Sequence, residues 1–232
     1  MKTTWLHDFF DLFFPRLCLA CEHRQPSEDA VLCLSCQIGL PETGMHEMSE
    51  NRFMDRFYGR VYLQAGAALY HYKKGGGVQN LIHKLKYRGK QIIGEKLGTY
   101  YGKQLLNSGN FSDIDLIVPV PLHPLKKKKR GYNQSDKFAA GLARSMQKPW
   151  VENGLIRTQY TESQARKNRK ERYGEIMNSF QVNRGDLITG KHILLVDDVL
   201  TTGATLEACA HKILKVSDTK LSMLTIAIAG TT

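Results

Sequence analysis

Apolar residues in this chain fall into short uninterrupted runs, separated by stretches whose apolar positions recur with helical spacing. Runs over 65–72, 116–120, 180–182, 192–196 and 221–229 have the length and bounding turn residues of buried strands. Helical spacing covers 78–86, 94–107, 135–145 and 204–216; in the third, Phe138, Leu142 and Met146 fall at i, i+4 and i+8 as an inward stripe. Strand alternating with helix predicts an α/β domain over 61–232, a parallel sheet flanked by helices. Ligands of such sheets bind beyond the carboxyl ends of strands, which singles out the loops after Val120 and Val196. The first sixty residues do not follow this pattern. Residues 46–60 are polar and irregular, a linker with docking contacts, and 1–45 form a separate small module. Its apolar stretch over 9–19, broken by Asp11, Pro15 and Arg16, predicts a short amphipathic helix that docks a Phe-rich face on the body. It is too short to cross a bilayer and has no basic region before it. No membrane insertion and a cytoplasmic location are therefore expected.

Charge and cysteines add chemistry to this outline. Among 232 residues, 33 Lys and Arg outweigh 22 Asp and Glu, for a net charge of +11. That excess favours polyanionic partners, phosphorylated substrates or nucleic acid, over a merely basic surface. Four of the five cysteines are paired as Cys18-x-x-Cys21 and Cys33-x-x-Cys36. Two such knuckles bring four thiolates to one tetrahedral ion, and the polar segment between them cannot form a core of its own. A closed structural Zn²⁺ site, in a zinc-ribbon-like module, is the reading; a redox dithiol pair is the alternative. Cys209, between Ala208 and Ala210 in a helical stretch, receives no role.

The most informative segment is Ile193-Leu194-Leu195-Val196-Asp197-Asp198-Val199-Leu200-Thr201-Thr202-Gly203-Ala204-Thr205. A buried strand runs into two adjacent carboxylates, then into a Thr/Gly loop, then into a helix. Amides at the helix start, with the hydroxyls of Thr201, Thr202 and Thr205, make an anion site. The carboxylates on the same loop suit ribose hydroxyls or Mg²⁺. A phosphate grip beside a sugar grip fits a sugar phosphate, although Asp and Thr also serve as plain caps at strand-to-helix turns.

This segment resembles the phosphoribosyl-pyrophosphate (PRPP) motif of type I phosphoribosyltransferases. The resemblance narrows to the ComF family through Pro119-Val-Pro121-Leu122-His123-Pro124 followed by Arg130-Gly-Tyr132-Asn133-Gln134. Leu85-Lys86-Tyr87-Arg88-Gly89 and Gln164, Arg169, Arg172 and Asn178-Ser-Phe180 agree as well, and the resemblance covers nearly the whole chain. It implies a type I phosphoribosyltransferase-like fold in which Asp197 and Asp198 hold ribose hydroxyls. Thr201, Thr202, Gly203, Ala204 and Thr205 would cradle the 5′-phosphate and Arg130, with neighbouring lysines, the pyrophosphate, while Val199, Leu200, Pro121 and Leu122 would also belong to the PRPP-binding residues. Arg169 and Arg172 would belong to a mobile loop that closes over the site, with Mg²⁺ accompanying PRPP; the residues themselves equally allow a plain exposed helix in which Lys and Arg pair with Glu162, Glu171 and Glu175. The same resemblance implies a PRPP-binding factor in DNA uptake during natural transformation, with single-stranded DNA and a helicase as partners. The other function it admits is a Mg²⁺-dependent phosphoribosyltransferase of nucleotide salvage or synthesis, for which no acceptor-reading pocket is evident. His83, His123 and His211 are expected to be packed or surface residues.

Overall fold

A computed structural model describes residues 15–27, 30–158 and 169–230, with only the backbone described over 169–173. The helix expected over 9–19 therefore lies largely outside the described residues. Four strands, β1 (Gly66–Tyr72), β2 (Leu116–Pro119), β5 (His192–Leu200) and β6 (Lys220–Ala229), pair in parallel in the order β1-β6-β5-β2. Val196 lies opposite Leu224 and Val118 opposite Leu195. The central strands are covered on both faces, so β6 is buried without a break from Leu221 to Ile228. That is why their sequences read as continuous apolar runs rather than alternating ones.

Helices α3 (Gly77–Tyr87), α4 (Ile92–Leu106), α6 (Gln134–Met146) and α9 (Ala204–Ile213) flank the sheet. Phe138, Leu142 and Met146 form the buried stripe of α6. α4 and α6 cross with backbones in contact. A Cβ on Gly98 would stand 2.3 Å from the Phe138 carbonyl oxygen, and one on Gly141 2.2 Å from that of Glu95. Glycine is required on both sides of this crossing, since added atoms would collide with main chain.

Three elements depart from the sequence expectation. β5 does not stop at Val196; ladder pairing continues through Val199 opposite Ala227 and Leu200 opposite Ile228, so Asp197 and Asp198 are strand residues. The cationic stretch after Pro121 is not all loop. Pro124–Arg130 forms a helix, α5, started by Pro124 and the His123 side chain, which accepts from the Leu125 amide at 3.2 Å, and ended by Gly131 at φ +84°. β3 (Leu155–Arg157) pairs antiparallel with β4 (Phe180–Val182) and closes the base of the segment between them.

The N-terminal residues dock rather than trail. Helix α1 (Leu34–Gly39) follows Cys33. Asn80 Nδ2 donates to the Ala20 carbonyl at 2.8 Å, and Lys84 Nζ reaches the Leu19 carbonyl and the Glu22 carboxylate, both at 2.7 Å. In the 46–60 stretch Asn51 caps a short helix, α2 (Arg52–Asp55), by accepting from the amides of Phe53 and Met54. Phe53 and Phe57 are fully buried there. The turn of α8 (Gly185–Ile188) and helix α7 (Arg169–Asn178) complete the fold. Among the described residues no helix is long and apolar enough to cross a membrane.

Candidate functional site

The carboxylates lie where β5 emerges from the sheet. Alternation along the strand sends their side chains to opposite faces. Asp197 Oδ1 accepts the Ser135 hydroxyl at 2.9 Å and the Asp198 amide at 2.8 Å. Burial, and then the neighbouring carboxylate, push the Asp197 carboxyl up to about 7. Asp198 is buried, and its Oδ1 meets the Lys86 ammonium at 2.9 Å. Burial alone would pull the Lys86 ammonium down, but the Asp198 and Asp197 carboxylates outweigh it and leave its pKa raised. Asp198 Oδ2 is buried with no hydrogen-bond partner among the described residues. An orphaned acceptor of this kind, in a carboxylate otherwise satisfied, is a place for a hydroxyl donor or a cation.

Past the carboxylates the chain turns through Thr201 and Thr202, both exposed, and enters α9 through Gly203 at φ +84°. The loop is braced from below by the α2 region. Phe57 lies against Gly203, with ring carbons 3.2 and 3.3 Å from where a Cβ would stand. Arg56 donates to the carbonyls of Thr201 at 2.7 Å and Ala229 at 2.9 Å. Arg60 pairs with the buried Glu207 of α9 at 2.7 Å.

The cations of α5 divide. Lys127 is engaged by Glu152 and, at 3.5 Å, by Asp136. Lys128 and Lys129 are exposed. Arg130 donates to Gln134 and lies with Cζ 5.5 Å from the centre of the Tyr87 ring. The Lys126 ammonium is held below its usual range by partial burial and by three cations, Arg157, Arg130 and Lys86. Lys126 thus lies within electrostatic reach of Lys86, Arg130 and Arg157, like charge that an anion would relieve. Pro121, Leu122 and Arg157 line a cleft of about 410 Å³ beside them.

The Arg-Gly-Tyr-Asn-Gln stretch acts mainly as scaffold. Tyr132 donates its hydroxyl to the Leu85 carbonyl, tying α3 to this loop. Asn133 holds the Val120 carbonyl at 3.0 Å and brings Ser135 under Asp197. The backbone of Arg169 and Arg172 lies in α7, and their side chains fall outside what is described. Sequence reasoning assigned no role to Lys86, Ser135 or Arg157. Lys86 stood in a noted stretch, but nothing local tells which helix residue reaches a carboxylate over a hundred positions away. Arg157 ends a three-residue strand, too short for any periodicity, and its guanidinium rests 5.2 Å from the Phe180 ring centre. His83 packs on Tyr87, with ring centres 5.1 Å apart, and His211 lies 4.0 Å from Glu207. Burial holds the Cys209 thiol far above its ordinary range.

The second candidate site is the cysteine cluster. The four Sγ atoms of Cys18, Cys21, Cys33 and Cys36 lie within 4.8 Å of one another, with Cys21 and Cys33 3.9 Å apart. Four thiolates around a tetrahedral zinc would be about 3.8 Å apart, given a Zn–S bond of about 2.3 Å. The amide of His23 brings the Cys21 thiol down to about 6, against partial burial. The donor set and its spacing can hold a metal ion.

Residues 133–229 match the phosphoribosyl transferase domain family. The chain is 28% identical over 204 residues to the DNA utilization protein YhgH of Escherichia coli K12, covering 86% of this chain and 84% of that protein. It is 27% identical to competence protein F of Haemophilus influenzae, over 64% of this chain and 67% of that one. Competence protein ComFC of Bacillus subtilis is 25% identical, over 86% and 78%. Its parallel sheet, its carboxylate-to-threonine strand end and its four-cysteine cluster agree with a phosphoribosyltransferase fold, and the chain is similar over much of its length to these DNA utilization and competence proteins.

Proposed function

We propose that this protein binds PRPP with Mg²⁺ at the β5–α9 junction, holds a structural zinc in its cysteine cluster, and acts in DNA uptake or utilization. One observation carries the reading: a carboxylate pair and a threonine loop follow one another at the end of β5, where Lys86 meets Asp198 at 2.9 Å, and Lys86 in turn acts with Arg130 and Arg157 on Lys126. In this reading Thr201, Thr202, Gly203, Ala204 and Thr205, with Val199 and Leu200 leading in, surround the 5′-phosphate. Asp197 and Asp198 take the ribose hydroxyls. Arg130, with Lys126 and the Pro121–Leu122 backbone, faces the pyrophosphate, and Arg169 and Arg172 approach from the β3–β4 segment when the site closes. The chemistry that bound Mg²⁺ would supply is neutralisation of pyrophosphate charge; Asp198 Oδ2, buried with no hydrogen-bond partner among the described residues, is the polar atom of the pair left unsatisfied by the protein.

The role in DNA handling rests on the relatives' names and on the +11 charge, which suits single-stranded DNA and a helicase working on it. A transferase reading is favoured by the clustered cations. If an acceptor enters, its lone pair forms a bond to C1 while the C1–O bond breaks and pyrophosphate leaves with the electron pair. Lys126, Arg130 and Arg157 would offset the charge of that leaving group. The test is calorimetric titration of PRPP and Mg²⁺ into the zinc-loaded protein and into the Asp197→Asn/Asp198→Asn double variant. Micromolar binding that the variant loses is expected. Absence of binding to the intact wild type would sink the reading.

A further inference from the structure

The end of α3 and the end of α5 touch, because Arg130 lies over the Tyr87 ring and the Tyr132 hydroxyl donates to the Leu85 carbonyl. Residues 83–90 and 126–130, on the two sides of this contact, contain no Asp or Glu. Three of their lysines are balanced from elsewhere, Lys84 by Glu22, Lys86 by Asp198 and Lys127 by Glu152. Arg88, Lys90, Lys126, Lys128 and Lys129 are exposed and form no ion pair among the described residues. Uncompensated charge on both sides of the contact suits a polyanion long enough to reach both. Two tyrosines stand among these cations. Tyr132 is 5% exposed with its hydroxyl already engaged. Tyr87 is 67% exposed even with Arg130 and His83 against it, the His83 ring centre lying 5.1 Å away. His83 is exposed as well, and the core-facing stripe of α3 is Val78, Leu81, Ile82 and Leu85, so this ring pair has no packing role in the core. Open ring faces beside uncompensated cations are what a single strand of nucleic acid uses, bases on the rings and phosphates on the cations. A free phosphate or an acidic peptide would use the cations only, and a duplex hides the faces of its bases.

We propose that the His83–Tyr87 ring pair of α3, flanked by Arg88 and Lys90 on one side and by the exposed lysines of α5 on the other, is a docking surface for single-stranded DNA. This rests on the DNA-handling reading above and specifies it: the strand has one place on the chain rather than a general attraction to its +11 charge. Bases stack on Tyr87 and His83 without regard to sequence, and the flanking cations take the phosphates. Arg130, which lies over Tyr87, also faces the pyrophosphate in the PRPP reading, so the strand docks beside the sugar-phosphate site and not in it.

The test is fluorescence anisotropy of a labelled thymidine oligonucleotide, about 16 nucleotides long, titrated with the zinc-loaded full chain at several salt concentrations. Wild type is expected to bind with a slope of log K against log salt of about −3, as four or five phosphate contacts on a single strand require. Tyr87→Ala is expected to bind about fivefold or more weakly at an unchanged slope, the loss of one base stack, while Tyr87→Phe keeps the ring and stays within about twofold of wild type. Arg88→Gln/Lys90→Gln is expected to make the slope shallower by about 1. Tyr58→Ala removes a 90% exposed ring outside both segments and should leave binding as it is. Wild-type binding by Tyr87→Ala, or an equal loss in Tyr58→Ala, overturns the proposal. So does equal affinity of wild type for a blunt duplex of the same length, or displacement of the oligonucleotide by polyglutamate at equal charge, which would mark the face for an acidic protein instead. These last two comparisons use wild type alone and decide even if Tyr87→Ala fails to fold. If wild type binds no oligonucleotide, direct contact with DNA fails and this inference falls with it; oligonucleotide binding that none of the α3 variants alters overturns the inference alone.

Discussion

Asp136 should destabilise this protein at neutral pH, and replacing it by asparagine should reveal by how much. It lies in the first turn of α6, 7% exposed, with Oδ1 accepting from Asn133 Nδ2 at 2.7 Å and Oδ2 3.5 Å from Lys127. Burial is the largest influence on it and wins over the attraction of Lys127, raising the carboxyl from 3.8 to about 6. A rise of that size is about 3 kcal/mol at the limit of full ionisation. The sign follows from proton counts. Between about pH 4 and pH 6 the folded chain holds a proton at Asp136 that the unfolded chain has released, so stability falls as pH rises through this window and then levels off. Asparagine mimics the neutral acid and can still accept from Asn133. The negative charge also gains about 0.3–1 kcal/mol from the start of α6, which the variant gives up. Asp136→Asn is therefore expected to stabilise by about 1–2 kcal/mol at pH 7.5 and to match wild type near pH 4.5. Urea unfolding followed by circular dichroism at both pH values, on zinc-loaded protein, measures the difference. A variant less stable than wild type at pH 7.5 would show that Lys127 and Asn133 more than offset the cost of burying the charge. Asp136 is adjacent to Ser135, which holds Asp197, so the residue stands where local stability and site geometry compete.

Two further outcomes follow from the supports of the site. Phe57→Ala removes a 1% exposed ring from beneath Gly203, and should cost about 3–5 kcal/mol in urea unfolding and loosen the Thr201–Thr205 loop, read as faster amide exchange there; a loss below about 1 kcal/mol would mean the loop is held by other contacts. Cys33→Ser should abolish stoichiometric zinc, measured by mass spectrometry of the metal, and open the chain before residue 40 to proteolysis; retention of one zinc per chain in the variant would rule out a four-thiolate site.

What could be read from the chain and what could not divide along a physical line. Parallel strands buried on both faces leave continuous apolar runs, so β1, β2, β5 and β6 were legible to within a few residues, and so were the four long helices. The carboxylate pair and the threonine loop were legible for another reason: they are contiguous, and one loop carries both chemistries. Elements whose cause is not local stayed hidden. The carboxylates read as the start of a loop because charge ends an apolar run, yet β5 continues through them, since β6 supplies ladder partners as far as Ile228. α5 read as a charged loop because a run of lysines has no apolar stripe, yet a proline start, a histidine cap and a left-handed glycine suffice for two turns. The close crossing of α4 and α6 depends on Gly98 and Gly141 facing each other, a pairing that neither helix announces alone. The same limit applies to the site. Lys86, Ser135 and Arg157 reach the carboxylates or the cation cluster from three separate elements, and each is an ordinary surface residue type in its own segment. What makes them more than that is the sheet order β1-β6-β5-β2, which sets the carboxyl end of β5 beside those of β2 and β6. Helices α3 and α6, with strand β3, then carry these side chains toward that edge. The contiguous part of this site carries the chemistry on which the sugar-phosphate proposal rests; the residues that balance its charge are brought in by the fold.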